Sequence, residues 1–191
     1  MKVRVQSIGQ TMLKAKSWDL IHESMAFFLE KNDMNKYNYP VKILFERPDN
    51  FSKTSLGEIS AYMTLSCFLY YKPKSFIIFI NPNQTDSELL NTIFHEFTHL
   101  KQYCEGNLRI SLTKNHSVWF GTSVKNVDSE IDEAGYLNLP WEIDARDQAN
   151  KMVDMWQKRS IMNDNTVTNT VHKFVNRIIN FFKKDYINAK H

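Results

Sequence analysis

Apolar residues at helical spacing mark the first element that the sequence predicts. Between Ala15 and Lys31 they recur at intervals of about three or four residues, which places them on one face of a helix. An apolar face of this kind is typical of a helix that packs on a protein core. Its members are Trp18, Ile21, Met25, Phe28 and Leu29.

Three apolar runs that follow this helix predict strands. They span Val41 to Glu46, Glu58 to Leu65 and Ser75 to Ile80, and they contain the β-branched and aromatic residues that strands favour. Pro48 lies in the turn after the first run, and Gly57 opens the second. We therefore expect a sheet of three or more strands after the first helix.

A second amphipathic helix is predicted after the third strand, ending at Gly106. Thr85 followed by Glu88 is the sequence pattern of a capping box, in which each side chain hydrogen-bonds the backbone of the other residue. Asp86 and Glu88 also suit the positive end of the helix dipole. We expect the apolar face of this helix to pack against the sheet. That face consists of Leu89, Leu90, Ile93, Phe94, Phe97 and Leu100.

The chain after the second helix predicts a hairpin, a loop and a further helix. Ser117 to Val124 can form a short hairpin with Gly121 at its bend, and the polar stretch from Lys125 to Gly135 predicts a loop. Pro140 suits the first turn of a helix, where a missing N–H costs nothing, and we expect this helix to continue to Arg159. Its apolar face is formed by Ala145, Ala149, Met152, Val153 and Trp156.

A last amphipathic helix is predicted from Val167 to Asp185. We expect its apolar face, with Phe174, Ile178 and Phe182, to dock on the rest of the protein, because an exposed stripe of large apolar residues is costly. The polar face carries Lys173, Arg177, Lys183 and Lys184. The prediction for the whole chain is a single domain over residues 1–191, in which residues 164–191 form a helical extension.

Composition narrows the class of protein without identifying a function. The 191 residues, 42% hydrophobic and 24% charged, suffice for one globular core. The net charge is only +3, and Lys and Arg are spread along the chain, so nothing indicates nucleic-acid binding. Cys67 and Cys104 predict neither a disulfide framework nor a thiolate metal site. No signal-peptide core or transmembrane segment is apparent, so we expect a cytoplasmic protein.

The sequence HEFTH at positions 95–99 carries the clearest chemical signal in the chain. Two histidines four residues apart on a helix, here His95 and His99, lie on nearly the same side and can bind one zinc ion. Glu96 between them can then act as general base toward a zinc-activated water. The pattern has few fixed residues, but it falls within a predicted helix, where the spacing brings the two ligands together.

A catalytic zinc site needs a third protein ligand from elsewhere. The metzincin motif does not supply it, because this chain has Gln102 and Glu105 where that motif has a glycine and a third histidine. Glu105 is six residues past His99 and, at about 100° per residue, is badly placed on the helix. His116 is a conceivable ligand in a polar segment.

Glu142 is the better candidate for the third ligand. It lies in the first turn of the helix that begins at Pro140, and a carboxylate from a second packed helix can complete a site with two histidines. Ala145, one turn further on, is small enough for the helices to approach closely. Asp144 is about 200° around the helix from Glu142, so only one of the two can face the metal. We favour Glu142 and keep Asp144 as the alternative.

These paired motifs resemble those of small zinc metallopeptidases from phages and mobile elements. The pattern of that group is HExxH, then a Trp-Gly hairpin, then PWExxA, and it is matched here by His95–His99, by Trp119 with Gly121, and by Pro140–Ala145. Gln102 also fits the pattern. The resemblance covers about residues 41–150 and leaves out the first helix and the tail.

The resemblance implies a gluzincin-like enzyme of the kind that phages and mobile elements encode. In the more distant SprT-like and ImmA/IrrE-like groups the glutamate of a similar helix is the third ligand, which implies Glu142 here. The chain departs from the expected pattern at Asp144, where a second glutamate would be usual. This departure leaves the ligand assignment intact and weakens the expectation of a family-standard set of supporting residues.

The expected fold is α+β and zincin-like, with an N-terminal helix, a sheet of three or more strands, an HExxH helix, a second ligand-bearing helix and a C-terminal helix. The expected function is a zinc-dependent metallopeptidase that binds Zn²⁺ through His95, His99 and Glu142. Glu96 would be its general base, and its substrate a peptide or protein. Tyr136 and His116 are candidates for stabilising the oxyanion.

Two other functions are compatible with the same sequence. The first is a binding or regulatory module that keeps the zincin scaffold and the metal but catalyses little turnover. The second is a helical adaptor that binds no metal and uses its basic C-terminal helix. Metal content separates the adaptor from the other two, and replacement of Glu96 separates the enzyme from the binding module.

Overall fold

The computed structural model describes residues 2–7, 15–45, 57–62, 75–81, 83–110, 116–127 and 131–159. Within these ranges the protein is a mixed α+β structure with two small sheets. The chain divides into two compact units, Met1–Val153 and Asp154–His191. Both sheets lie in the first unit, as do the residues of the candidate site described below.

Helices and strands succeed one another irregularly along the chain. In order they are β1 (Lys2–Ser7), α1 (Ala15–Lys31), a 3-10 turn (Met34–Lys36), β2 (Pro40–Phe45), β3 (Gly57–Tyr62), β4 (Ser75–Ile80), α2 (Asp86–Glu105), β5 (Leu108–Ile110), β6 (His116–Trp119), β7 (Thr122–Lys125), α3 (Glu133–Leu137) and α4 (140–159). No helix in the described part of the chain is long and apolar enough to span a membrane.

The larger sheet has the strand order β1-β2-β4-β3. Strands β1, β2 and β4 are parallel, and in the central pair Val41 lies opposite Phe76 and Phe45 opposite Ile80. Helix α1 lies between β1 and β2 in the chain, as parallel neighbours require a long crossover connection. Strand β3 pairs antiparallel with β4 and ends the strand order on that side. Because β4 is interior to the sheet, its sequence SFIIFI is apolar on both faces.

Helices α1 and α2 pack together through phenylalanine side chains. The ring centroid of Phe28 is 6.2 Å from that of Phe94 and 5.6 Å from that of Phe97. Phe76 of β4 lies 6.0 Å from Tyr103 of α2, so α2 contacts the sheet as well. Each buried phenylalanine contributes about 1.5–3 kcal/mol of transfer free energy to folding. The helix that carries the histidine pair is therefore fixed from two sides by the main core.

The smaller sheet consists of β5, β6 and β7 in antiparallel order. The predicted hairpin is present, and its turn contains Phe120 and Gly121, both with positive φ (45° and 84°). Beside this sheet, Leu108, Leu139 and Trp141 form a small buried cluster against which Trp119 also packs. The cluster joins the smaller sheet to the first turn of α4, where the candidate third ligand lies.

Most predicted boundaries agree with the structure. Helix α1 and strand β4 begin and end where the sequence predicts, and β2 and β3 each begin one residue earlier than predicted. The expected ends of β2 and β3 lie outside the described residues. So does the helix predicted from Val167 to Asp185.

Three elements were not predicted from the sequence. Strand β1 alternates polar and apolar residues but has only two apolar positions, Val3 and Val5, and β5 is too short to show a periodic pattern. The expectation of a loop from Lys125 to Gly135 is wrong at both ends, because Lys125 closes β7 and α3 begins at Glu133. The side chain of Asp132 caps α3 by accepting a hydrogen bond from the N–H of Gly135 at 2.8 Å. Aspartate favours turns as well as helix caps, which is why a polar loop and a short capped helix look alike in sequence.

Candidate metal centre

The histidine pair lies in the middle of α2, whose two ends are both capped. At the N-terminus Thr85 accepts a hydrogen bond from the N–H of Glu88, and the Glu88 carboxylate accepts one from the N–H of Thr85 at 2.8 Å. This is the predicted capping box. At the C-terminus Gly106 has a φ of 78°, a left-handed conformation that glycine adopts without strain.

The structure brings together the three residues predicted to bind the metal. The Nε2 atoms of His95 and His99 are 3.1 Å apart. The Glu142 carboxylate reaches both rings, with Oε2 at 3.4 Å from Nε2 of His95 and Oε1 at 3.3 Å from Nε2 of His99. One ligand atom from each residue lies within 4.8 Å of the others, so the cluster could hold a metal ion.

The spacing of the two histidine nitrogens is close to that of ligand atoms around a small tetrahedral cation. Zinc binds imidazole nitrogen and carboxylate oxygen at about 2.0–2.2 Å, so neighbouring ligand atoms of a zinc tetrahedron are about 3.3 Å apart. The two histidine nitrogens are 3.1 Å apart, and each lies 3.3–3.4 Å from a different oxygen of the Glu142 carboxylate. Two imidazoles and one carboxylate are also the donor set of a known class of catalytic zinc site.

The three side chains differ in their exposure to solvent. Glu142 and His99 are buried, with 5% and 7% of their side-chain surface exposed, whereas His95 is 21% exposed. The cluster therefore borders solvent at His95 and is enclosed by protein elsewhere. A fourth ligand position facing the exposed side would be accessible to water and to a substrate.

Burial and the contact with Glu142 shift the pKa of His99, and that of Glu142 is shifted in turn. Burial disfavours the charged imidazolium of His99, but the hydrogen bond and the charge of Glu142 outweigh it and raise the pKa of His99 to about 9. Burial likewise disfavours the charged Glu142, yet both histidines hold the pKa of its carboxyl well below the usual range. A proton and a metal ion thus compete for the same nitrogen of His99.

Glu96 lies next to the ligands on α2 and is 4% exposed. Its charge contributes to the raised pKa of His99 and to those of two tyrosines, so its carboxylate is within electrostatic reach of the cluster. A general base for a metal-activated water has to lie beside the metal ligands, and the carboxylate of Glu96 has that position.

Two tyrosines border the cluster. The hydroxyl of Tyr136, on α3, donates a hydrogen bond to Oε1 of Glu142 at 2.9 Å. Burial and the nearby charge of Glu142 raise the pKa values of Tyr136 and Tyr103 well above the usual range, so both hydroxyls keep their protons. Tyr136 was a sequence candidate for oxyanion stabilisation. Tyr103 was not, although its position four residues after His99 on the same helix face was an available signal.

The other sequence candidates for the third ligand point elsewhere. Glu105 is exposed at the end of α2 and accepts a hydrogen bond from Asn107 at 3.0 Å. His116 is exposed at the start of β6. The carboxylate of Asp144 accepts a hydrogen bond from the side-chain amide of Gln102 at 2.9 Å.

Comparison with protein-family models, with curated proteins and with solved structures gives no match to this chain. What the site can do is therefore judged from its own residues and their geometry.

Proposed function

We propose that the protein is a zinc-dependent metallopeptidase. The observation that carries this proposal is the convergence of His95, His99 and Glu142, whose ligand atoms lie within 4.8 Å of one another, beside the buried carboxylate of Glu96. A bound zinc ion would supply Lewis acidity, which polarises a carbonyl and lowers the pKa of water. This arrangement supports a zincin type of fold, in which a glutamate from a following helix completes the histidine pair.

In this proposal each residue of the site has its own role in hydrolysis. His95, His99 and Glu142 hold the metal, and Glu96 accepts the proton of the attacking water and passes it to the leaving amine. Glu96 is suited to this role by its position, because it is 4% exposed and lies between the two histidines in the sequence of α2. The exposed edge of His95 gives the substrate access.

The hydroxyl of Tyr136 is suited to stabilising an oxyanion. It already donates a hydrogen bond into the cluster, and its raised pKa keeps it a donor at neutral pH. A donor aimed at developing negative charge accounts for about 10²–10³ in kcat in other hydrolases. His116, the other sequence candidate, lies exposed on β6.

The proposal is tested by metal analysis together with a Glu96→Gln substitution. We expect the purified protein to bind close to one zinc per chain and to cleave members of a broad peptide library. Glu96→Gln should keep the metal and abolish cleavage, because an amide has nearly the same shape but cannot accept a proton. Glu105→Gln, an exposed change on the same helix, is the matched control and should leave cleavage unaffected.

Each failure of this experiment has a distinct meaning. Absence of zinc, cobalt or manganese after reconstitution would refute the metal centre and favour the adaptor. A metal-loaded protein that cleaves no peptide or protein would favour the binding module over the enzyme. Cleavage that survives Glu96→Gln would refute the assignment of the general base.

A further inference from the structure

The side chain of Gln102 lies between the two helices that supply the metal ligands. It is on α2, one turn after His99, and only 2% of the residue is exposed. Its Oε1 is 2.8 Å from Nδ1 of His99. Its Nε2 is 3.1 Å from the carbonyl oxygen of Trp141 and 2.9 Å from Oδ2 of Asp144, both on α4.

These contacts determine which way the amide of Gln102 faces. Its two partners on α4 are both oxygen acceptors, so the NH₂ group must point toward them and the carbonyl toward His99. A carbonyl can only accept, and therefore Nδ1 of His99 carries a hydrogen. When the ring is neutral, the lone pair that a metal requires is then on Nε2, the atom that faces His95 and Glu142.

We propose that Gln102 is a positioning residue that fixes the ring of His99 for metal binding and fastens its helix to the Glu142 helix through Asp144 and Trp141. The proposal rests on the metal centre proposed above. Metal-bound histidines commonly donate their second N–H to an acceptor that orients the ring. Here the acceptor is a neutral amide whose own N–H groups reach the first turn of the neighbouring helix, next to Glu142.

This arrangement also gives Asp144 a role other than that of a ligand. One of its oxygens accepts from Gln102 at 2.9 Å, and the other lies 3.4 Å from Nε2 of Gln148 on the same helix. The carboxylate thus orients the amide that orients His99. It would support the metal site without contacting the metal.

The test exchanges the donor and the acceptor between positions 102 and 144. Gln102→Leu removes every hydrogen bond of the amide. Gln102→Glu keeps an acceptor for His99 but sets a second carboxylate against Asp144. Adding Asp144→Asn to Gln102→Glu restores a donor–acceptor pair with the same net charge. Thr98→Val is the matched control, because Thr98 is equally buried on α2 and its hydroxyl donates to the carbonyl of Phe94 on the same helix.

Two measurements are made on each variant, with circular dichroism to verify folding. The first is zinc affinity by competition with a chelator. The second is the low-field NMR signal of the Nδ1 hydrogen of His99, which a hydrogen bond protects from exchange with water. Neither measurement requires peptidase activity. His99→Ala serves as the reference for complete loss of both.

We expect Gln102→Leu and Gln102→Glu to weaken zinc binding about 10- to 100-fold, the usual effect of losing a residue that supports a ligand. The Nδ1 signal should be lost in Gln102→Leu. The double variant should recover affinity relative to Gln102→Glu, and Thr98→Val should retain it.

Wild-type affinity in a folded Gln102→Leu protein would overturn the proposal and leave the metal centre standing. A double variant no better than Gln102→Glu, or an equal loss in Thr98→Val, would also overturn it, since the effect would then be general damage to the core. If His99→Ala itself binds zinc as well as the wild type, the metal centre proposed above is wrong.

Discussion

His99 is the residue on which the chemistry of the site converges. One of its ring nitrogens contacts Gln102, and the other contacts both His95 and Glu142. These contacts hold the ring in one orientation. What can still change is whether Nε2 carries a proton. The raised pKa of His99, about 9, means that a metal must displace a proton from this nitrogen at neutral pH.

A dependence on pH follows for both metal binding and stability. Between pH 7 and 8 we expect zinc to release about one proton from His99, measured by titration calorimetry in buffers of different ionisation enthalpy.

In protein stripped of metal, the raised pKa contributes stability that is complete below the ordinary value of 6.5 and is lost as the pH rises through about 9. Denaturation at several pH values should show this loss, and His99→Ala should remove it. Metal-free protein whose stability rises from pH 6.5 to 9 would contradict the expectation.

A second expectation concerns the hydroxyl of Tyr136. Tyr136→Phe removes the hydroxyl that lies 2.9 Å from Oε1 of Glu142. It keeps the ring, which packs on the buried cluster of Leu108, Leu139 and Trp141. If this hydroxyl stabilises the oxyanion, kcat should fall by about 10²–10³ while KM and zinc content change little. Steady-state kinetics with metal analysis checks this. The matched control is Tyr39→Phe, a tyrosine on the segment before β2 that packs on Phe76. An unchanged kcat, or a fall explained by lost zinc, would refute the role.

At this scale the sequence predicted the residue types of the site better than their contacts. The pairing of His95 and His99 follows from helix geometry. The same geometry allows only one of Glu142 and Asp144 to face the metal, and the resemblance to PWExxA sequences implies Glu142. The contact between Gln102 and Asp144 did not follow, because it depends on how two helices distant in the chain approach each other. The departure at Asp144 was noticed in the sequence, but only the structure shows what its carboxylate contacts.

At the scale of elements, strong local signals were sufficient where they existed. Helix α1 has a clear apolar face, and α2 has a capping box and a terminal glycine, so both could be placed from sequence. Strand β1 has only two apolar positions and β5 only three residues, so their local signals are weak, and both pair with neighbouring strands in their sheets. The pairing order β1-β2-β4-β3 is likewise a tertiary property. Hydrophobic periodicity identifies a strand but not its neighbour.

The short helix α3 shows how a weakly predicted element can matter for the site. Asp132 caps it, and within a few residues the chain turns through Asn138 and Leu139 into α4, where the N–H of Glu142 donates to the carbonyl of Leu139. This close succession brings Tyr136 and Glu142, six residues apart, into hydrogen-bond contact. A loop in place of α3 would leave the hydroxyl without a defined position relative to the carboxylate.

At the scale of the first compact unit, the site joins parts of the chain that are far apart in sequence. The ligands come from α2 and from the first turn of α4, and the whole of the smaller sheet lies between them in the chain. The core fixes α2 through Phe94 and Phe97, while the start of α4 is held by the small cluster around Trp141 and by Gln102. A bound metal would add a further connection between these two helices.

Metal binding should therefore stabilise the fold as a whole. A ligand that binds only the folded state adds about 2.7 kcal/mol when its free concentration is 100 times its dissociation constant. We expect a zinc-dependent rise in melting temperature, because unfolding separates Glu142 from the histidines and destroys the site. The rise should be retained in Glu96→Gln, which keeps all three ligands, and absent in His95→Ala and in Glu142→Ala. Thermal melts across a zinc titration, with magnesium as the control ion, measure it. An equal rise in the Glu142→Ala protein would mean that zinc binds elsewhere, and the pairing of the two helices through a metal would have to be abandoned.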